Sequence, residues 1–431
     1  MTHGAPGSSG ATRPPLLLLL IPPAILLLAA AATPTSALFT DQGDVGLYYR
    51  KVTDLASGLL PFRDVPFEYP PLALVPMLVP ALLWPFGELT LDTYKWLFAG
   101  WGAVLMVVLG LVLGRIVRIR ALSDGEAAVT GSAIGHQQIW LGIRLGLLTA
   151  GAALALAWRF DLFPALLTAV ALWVALERRP ALTGAAIAAG VLTKLYPIVL
   201  APALAAPWLV PADGRGLRRL VGALAVTAAV VVSPFVMMAG PATFWFLAYQ
   251  ALRGLQIESL GGGLVLLGGL LLGEPIPIVA PFLAAEVTGP LAETWLLTLP
   301  VVTALGFALV GWLGWHRMRR DVAALGRVTA RSTIALATAS LLVLLVTSKV
   351  FSIQYVVWLV PFAALLGGLR FWLAAAMVAL TMPIHPLLYD ELVAQEALPV
   401  LILNVRNALL VALTVWVLFD LRGAAAGERA A

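Results

Sequence analysis

The chain contains no cysteine and few charged residues. Without cysteine it can form neither a disulfide nor a thiolate metal site, so loops that face an oxidising compartment are held by packing alone. Charged residues make up only 11% of the 431 positions, whereas 61% are hydrophobic, and the mean hydropathy is +0.97. A soluble monomer of this size has too little interior to bury so much apolar surface. The composition therefore indicates an integral membrane protein.

Twelve apolar segments are predicted to cross the membrane. Each approaches the ~20 residues that span a ~30 Å hydrocarbon layer as a helix, and a helix satisfies its own backbone hydrogen bonds in lipid. The fold class is therefore an all-α polytopic membrane protein with about 12 transmembrane helices. The predicted spans cover residues 16–36, 92–114, 137–157, 161–177, 181–193, 197–210, 218–235, 294–314, 332–348, 356–369, 371–388 and 399–419.

Arginine clusters set the predicted orientation, because the positive-inside rule places them in the cytoplasm together with both chain ends. On this topology 18 of the 27 basic residues but only 7 of the 22 acidic residues lie inside. Residues 1–15 and 422–431 are then cytoplasmic tails of one transmembrane domain, 16–421. The first span is also typical of a signal peptide, but its apolar run is longer than a usual signal core, which favours a retained anchor. The clusters lie at residues 115–120, 178–179, 215–219 and 317–320.

Two outer segments leave their membrane placement open. The first outer loop, residues 38–91, contains an apolar stretch at 71–86 that is short for a span and is interrupted by three prolines. If it did span, the arginine cluster that follows it would lie outside, so we interpret it as an interfacial or re-entrant element. Residues 262–273, within the long outer loop 234–293, raise the same question.

A polar island follows the first span, at residues 41–71. After Asp44, apolar residues recur at three- and four-residue spacing while charged residues take the other side, which is the pattern of a helix in the membrane interface. Asp41 and Asp44 lie at the N-terminal end of this helix. A carboxylate there can simply cap the helix, so a chemical role depends on which other groups gather at the same depth.

Other costly polar groups are predicted to lie at this same outer boundary, at the ends of three spans and in the long outer loop. An ionisable group at a helix end often snorkels to the interface. Several such helix ends on the same side of the membrane, however, outline a polar cavity that opens on the outer leaflet. The groups are Arg159, Asp161, Lys194, Arg253, Glu258, Lys349, Gln354 and Tyr355.

Four basic side chains suggest more specific roles. Lys194 and Lys349 are two of only four lysines in the chain, and a compact ammonium suits a phosphate oxygen. His385, in the sequence PIHP near the outer end of the eleventh span, either orients a hydroxyl and assists proton transfer or is structural between its two prolines. Arg406, within the last span, is expected to pair with an outer-loop acid rather than to bind substrate.

These residues resemble the integral membrane glycosyltransferases of the C fold (GT-C), and among them family 87, whose type members are bacterial α-1,2-mannosyltransferases that use polyprenyl-phosphate mannose. The resemblance covers most of the chain, with the motifs in order. They are Asp44-x-x-x-Tyr48 followed by Gly58, Pro61-Phe62-Arg63-Asp64, Glu68-Tyr69-Pro70-Pro71-Leu72, Arg159-Phe160-Asp161, Thr193-Lys194-Leu195-Tyr196-Pro197, residues 253–259 and residues 348–358.

The resemblance implies a transferase that moves a hexose, expected to be mannose, from a polyprenyl-phosphate sugar to a lipid or glycan acceptor on the outer face of the plasma membrane. In such enzymes an acid of the first outer loop acts as general base, which corresponds here to Asp44, with Asp41 as the fallback. Attack on the face opposite the phosphate would invert the anomeric centre. We expect no metal, no cofactor beyond the donor and no nucleic-acid partner; membrane lipids are the other partners. The expected substrate-binding residues are Asp41, Tyr48, Glu68, Tyr69, Arg159, Asp161, Lys194, Arg253, Glu258, Lys349, Gln354, Tyr355 and His385.

Three other classes compete with this interpretation. A transporter or flippase of lipid-linked sugars usually places its binding groups near the bilayer midplane on broken helices, whereas most non-terminal charges here map to the outer boundary. A sugar-chain ligase or polymerase should carry catalytic arginines and a histidine in a large late outer loop. Residues 234–293, the longest outer loop, contain a single arginine, Arg253, and no histidine. A non-catalytic scaffold would leave the outer carboxylates and lysines without a common purpose.

Overall fold

The computed structural model describes residues 16–33, 43–123, 131–282 and 284–423, and most of this chain is helical. The helices of the first half are α1 (Leu16–Ala32), α2 (Asp44–Ala56), α3 (Leu74–Leu82), α4 (Leu91–Ser123), α5 (Gly131–Gly151), α6 (Ala153–Trp158), α7 (Leu162–Leu176), α8 (Pro180–Thr193) and α9 (Ala201–Leu209). Those of the second half are α10 (Gly214–Ala239), α11 (Trp245–Leu252), α12 (Leu260–Leu272), α13 (Pro290–Leu325), α14 (Ala330–Thr347), α15 (Tyr355–Leu365), α16 (Gly368–Met382), α17 (Tyr389–Val393) and α18 (Ala397–Arg422).

The segments predicted to span are largely helical in the described chain. The one at 137–157 is interrupted at Ala152, the one at 356–369 at residues 366–367, and the one at 371–388 at His385. By length and composition, six helical stretches suffice to cross a membrane, and the other apolar helices are shorter. The chain is thus an all-α membrane protein in its main architecture, while the count of about 12 crossings stays a prediction. The six stretches are Leu91–Ser123, Gly214–Leu252, Pro290–Leu325, Ala330–Thr347, Gly368–Leu387 and Ala397–Arg422.

The outer surface of the helix bundle is strongly apolar. α10 and α13 leave most of their side chains uncovered, and Val230 and Leu297 are 65% and 79% exposed. Such a surface is unfavourable in water but matches lipid chains. By contrast, α14 lies inside the bundle and buries Leu341 and Leu342 completely. The bundle therefore has a packed centre and a lipid-compatible exterior.

The arginine clusters gather at one end of the bundle. Arg178 donates to the carbonyl oxygen of Val328 at 3.2 Å, and Arg327 donates to that of Ser123 at 2.7 Å. These bonds connect the ends of α4 and α7 to the loop after α13. At the opposite end of α4, Tyr49 of α2 donates a hydrogen bond to the loop that precedes α4. The grouping agrees with the positive-inside prediction, while the side of the membrane itself stays a prediction.

The polar island after α1 contains a helix where the periodicity predicts one, while its place in the membrane interface stays a prediction. α2 begins at Asp44 and buries Val45, Tyr48 and Val52, which confirms the predicted apolar face. The stretch at 71–86 forms a short 3₁₀ turn and then α3, so its helical part, Pro71–Leu82, is about 18 Å long. This length is well below the ~30 Å of a hydrocarbon layer, in agreement with a non-spanning element.

The long outer loop contains a small antiparallel sheet that the sequence pattern did not predict. Its strands, β1 (Leu255–Gln256), β2 (Ile278–Val279) and β3 (Glu286–Val287), pair in the order β1-β3-β2. α12 follows β1 and precedes β2. It is capped by Ser259, whose hydroxyl accepts from the Gly262 N–H at 3.0 Å. Asn404 of α18 donates to the carbonyl of Gly263 at 2.9 Å. These contacts fix the start of α12 against the last helix.

Candidate active site

The first outer helix presents an acid at its start. The carboxylate of Asp44 does not cap α2, because the N-cap position is Gly43 and no side chain caps the helix there. Instead, Oδ2 of Asp44 forms an ion pair with Arg159 and accepts a hydrogen bond from the Tyr48 hydroxyl at 3.2 Å. Oδ1 receives no hydrogen bond from the described residues, and 24% of the side chain is exposed. Asp44 is thus held in position and is still open to a ligand.

The partner of this acid, Arg159, is buried between α6 and α7. An extended backbone at Arg159 (φ −126°, ψ 141°) ends α6, and only 10% of the side chain is exposed. Burial lowers the pKa of Arg159 to about 10, against the opposing charges of Asp161 and Glu258. The guanidinium therefore stays positive at neutral pH.

A second ion pair lies two residues further along the chain. Asp161 precedes α7 but does not cap it; its Oδ1 accepts from the Lys194 ammonium at 2.6 Å and from the Trp358 indole N–H at 2.5 Å. The carboxylate is 1% exposed and the lysine side chain 13%. These groups are not snorkelling to the interface: Lys194 ends α8 in an enclosed pocket.

Aromatic rings form the walls of the Lys194 pocket. Burial lowers the pKa of Lys194, and the neighbouring charge of Asp161 acts in the opposite direction. Cation–π contact with several rings favours the charged form in this low-dielectric setting. The rings lie at 4.9 Å (Phe160), 5.5 Å (Trp358), 5.8 Å (Tyr69) and 6.0 Å (Tyr355) from the ammonium.

Two further cations come from the long outer loop and from the segment after α14. Arg253 Nε lies 3.8 Å from Glu286 Oε1, and both side chains are largely buried. The ammonium of Lys349 donates to the backbone carbonyls of Ala251 and Arg253 at 2.9 and 2.5 Å, so it braces the loop that carries Arg253. Burial lowers the pKa of Lys349, and the charge of Glu286 opposes this shift.

The structure brings most of the predicted site residues to the same end of the bundle. Glu258 is buried, and the charges of Arg406, Arg159 and Arg253 lower its pKa against the effect of burial. Since Arg159 also pairs with Asp44, Glu258 connects the outer loop to the Asp44 region. Tyr69 packs edge-on against Phe160, with ring centroids 5.0 Å apart. The expectation for Arg406 is met in part, because its guanidinium donates to the backbone carbonyl of Glu258 at 2.7 Å rather than to the carboxylate.

Three described residues of the predicted site form none of the contacts given above. Glu68 lies 3.9 Å from Lys51 at the side of the site. His385 is buried, with its ring 4.5 Å from that of Tyr389. Gln354 precedes α15, and no hydrogen bond of its side chain is found among the described residues. Asp41 lies outside the described residues.

Sequence reasoning missed several groups that the structure places in the site. Gln256 and Ser352 are joined by a hydrogen bond of 2.8 Å next to Glu258, and Glu286 lies beside Arg253. Trp358 occurs in an apolar run, and nothing in that run indicates a bond to Asp161. The one available signal was Glu286, an acid of the long outer loop that the charge pattern did not single out.

A mainly apolar cavity of ≈ 510 Å³, whose wall also contains Arg63 and Asp64, adjoins this region. It lies between the first outer loop and the start of α11. Phe67 belongs to its wall, and the ring of Phe67 is 5.9 Å from that of Tyr69, which in turn contacts Phe160. A row of aromatic rings thus leads from the cavity to Lys194. Its lining includes Phe62, Val65, Phe67, Pro241, Phe244 and Trp245.

The chemistry that this arrangement favours is the binding of an anion and of polar groups. The buried cations Arg159, Lys194 and Arg253 are suited to phosphate or carboxylate oxygens. Among the described residues, no three His, Asp or Glu side chains are grouped so that they can hold a metal ion.

Comparisons of the chain with protein-family models, with curated proteins and with solved structures found no match. The resemblance to the C-fold glycosyltransferases therefore rests on the sequence motifs alone.

Proposed function

We propose that the protein is a membrane glycosyltransferase of the C-fold, family 87 type. It transfers a hexose, with mannose as the expected sugar, from a polyprenyl-phosphate donor to a hydroxyl of a lipid or glycan at the outer face of the plasma membrane. The observation that carries the proposal is the Asp44 carboxylate. One of its oxygens is anchored by Arg159 and Tyr48, and the other is open, on a wall of a site that also contains buried cations.

Asp44 supplies the proton acceptor that the reaction needs. The donor already carries a phosphate leaving group, so the missing element is a nucleophile. Oδ1 of Asp44 takes the proton of the acceptor hydroxyl, whose oxygen forms the new bond to the anomeric carbon. The bond from that carbon to the phosphate oxygen breaks, and its electron pair leaves with the polyprenyl phosphate. The attack comes from the face opposite the phosphate and inverts the anomeric centre.

The buried cations stabilise the departing phosphate. The Lys194 ammonium has three N–H donors and gives one to Asp161, so it can donate to a phosphate oxygen while keeping its partner. Arg253, braced by Lys349, contributes a second positive charge from the outer loop. In an enclosed site of low dielectric, such fixed charges act more strongly on developing charge than they would in water.

The mainly apolar cavity beside Phe67 suits the isoprenoid tail of the donor. Its aromatic lining is continuous with the row of rings that ends at Lys194. A lipid whose tail occupies this cavity would place its phosphate close to the ammonium.

Purified protein in proteoliposomes tests the proposal. We expect that, with a radiolabelled polyprenyl-phosphate mannose outside and a glycolipid acceptor present, a new labelled glycolipid and an equal amount of free polyprenyl phosphate form. Empty liposomes and protein without acceptor serve as controls. Movement of the labelled donor across the bilayer without any glycosidic product would overturn the proposal in favour of a transporter or flippase.

A further inference from the structure

Among the described residues Glu258 forms no ion pair, in contrast to Asp44 and Asp161, two other acids of the site. Asp44 pairs with Arg159, and Asp161 pairs with Lys194. Glu258 is 2% exposed, and within the described chain its Oε2 accepts only from the Gln256 amide, at 2.9 Å. Its Oε1 is buried and has no hydrogen-bond partner among the described residues. A buried acceptor of this kind is costly unless a ligand satisfies it.

The surroundings of Glu258 hold this carboxyl rigidly. The Gln256 amide also donates to Ser352 Oγ at 2.8 Å, and its oxygen accepts from the Phe351 N–H at 2.9 Å. Arg406 fixes the backbone carbonyl of Glu258 and stacks over Phe351 at 4.2 Å. The carboxyl is therefore positioned by the outer loop, by α18 and by the segment before α15 together.

Unpartnered atoms of both kinds occur around this carboxyl. Nε of Arg159 and Nε of Arg253 are buried donors without hydrogen-bond partners, and Oε1 of Glu258 and Oε1 of Glu286 are buried acceptors without them, among the described residues. Arg253 and Glu286 are 3.8 Å apart, which is too far for a hydrogen bond. Glu286 is paired with Gln256 in the β1–β3 ladder, and Gln256 donates to Glu258. Both arginine charges act on Glu258, so these atoms belong to one neighbourhood.

A ligand that satisfies this set must both donate and accept hydrogen bonds. A phosphate would suit the two arginines but would be repelled by the two carboxylates. Hydroxyl groups match both, since each hydroxyl donates one hydrogen bond and accepts others. Several hydroxyls on a rigid ring best match this mixture of unpartnered donors and acceptors.

We infer that Glu258, with Gln256, Ser352 and the facing arginines, forms a subsite for the hydroxyls of a sugar ring, next to the phosphate contact at Lys194 and with the charge of Arg253 acting on both. This inference rests on the proposed function. The sugar belongs either to the donor or to the acceptor, and the two sources share the same chemistry. Glu258 thereby acts in recognition, while Asp44 acts in proton transfer.

Binding measurements with three probes test the inference. The probes are a short polyprenyl phosphate, the matching polyprenyl-phosphate mannose, and octyl mannoside as an acceptor analogue, titrated by calorimetry in detergent. We expect Glu258→Gln to weaken binding of one or both sugar-bearing probes about tenfold or more and to leave the sugar-free lipid unchanged. Weakening of the donor alone assigns the subsite to the donor, and weakening of octyl mannoside alone assigns it to the acceptor. Glu274→Gln, an exposed acid of the same outer loop, is the matched control.

The outcomes separate this inference from the proposed function. If the wild-type protein binds neither polyprenyl lipid, the proposed function fails. If it binds them and Glu258→Gln binds every sugar-bearing probe as tightly as the wild type, the subsite is refuted and the proposed function stands.

A pH series gives a second readout that does not depend on a substitution. Burial raises the pKa of Glu258 to about 7, against the charges of Arg406, Arg159 and Arg253. The carboxyl is therefore about one-tenth ionised at pH 6 and about nine-tenths at pH 8, and the ionised form accepts hydroxyl hydrogen bonds more strongly. The other titratable groups that face it are Tyr355 and Tyr389, and burial holds the pKa of Tyr389 well above this range.

Affinity for the mannose-bearing probes should therefore rise between pH 6 and pH 8 in the wild type. The donor is a phosphodiester and keeps one charge over this range, so the change reports on the protein. We expect a flat profile in Glu258→Gln. An equal rise in the variant would contradict the assignment of the effect to Glu258.

Discussion

Replacement of Asp44 with asparagine is expected to lower the rate of sugar transfer by about 10²- to 10⁴-fold, the usual contribution of a positioned general base. Asparagine is nearly isosteric and can still accept hydrogen bonds from Arg159 and Tyr48 through its carbonyl oxygen. What it loses is the ability to take the acceptor proton. Donor binding should change little, because the cations assigned to the phosphate are untouched. Initial rates and donor affinity, measured on the same purified preparation, check both statements.

A matched control for this variant is Asp54→Asn, which removes a carboxylate from the same helix, α2. No contact in the structure connects the Asp54 side chain to Arg159, so this variant should transfer sugar at the wild-type rate. Near-normal turnover by a well-folded Asp44→Asn protein would remove Asp44 from the mechanism.

The second large effect concerns the buried pair of Asp161 and Lys194. Asp161→Ala leaves the ammonium of Lys194 enclosed without its counter-charge and removes the acceptor of the Trp358 indole. Loss of one partner of a buried ion pair costs about 3–5 kcal/mol of unfolding free energy. Equilibrium unfolding in mixed detergent micelles measures this cost.

A double variant separates charge from packing in this experiment. Asp161→Ala combined with Lys194→Met removes both charges, so part of the lost stability should return relative to Asp161→Ala alone. Arg179→Ala is the surface control, because its pair with Glu177 is more than half exposed on the arginine side and should contribute about 0–1 kcal/mol. Equal costs for the buried and the surface pair would contradict our description of the Lys194 pocket.

The sequence predicted the outer helix well because its information is local. The spacing of Val45, Tyr48 and Val52 defines an apolar face with a helical period, and the structure buries those three residues. Asp44 is a charged residue in a mostly apolar chain, and this contrast also marked it as a candidate for the site. Burial and helical position follow from neighbouring residues, and so they are readable from sequence.

The partners of the charged groups were not readable in the same way. Lys194 and Asp161 were both expected at the outer boundary, but only the fold shows that they bind each other. Trp358 is 197 positions away from Asp161 along the chain and lies in a run whose apolar composition predicts only a buried helix. Contacts over such separations depend on how helices pack, and helical periodicity does not specify that packing.

The outer-loop sheet is a further case of long-range pairing. Its strands have two residues each, which is too short for an alternating pattern to be recognised. This sheet places Gln256 and Glu286 in the site. Their roles therefore follow from the structure. Arg253 and Glu258, from the same loop, were expected in the site because of their charge alone.

The central claim is that Asp44 activates an acceptor hydroxyl for direct attack on a polyprenyl-phosphate sugar. The anomeric configuration of the product tests it most directly. Nuclear magnetic resonance of the glycolipid made by the purified wild-type protein from a β-linked donor should show an α-linked sugar, because a single displacement inverts the centre. A β-linked product, which requires two displacements and a covalent intermediate, would contradict the claim.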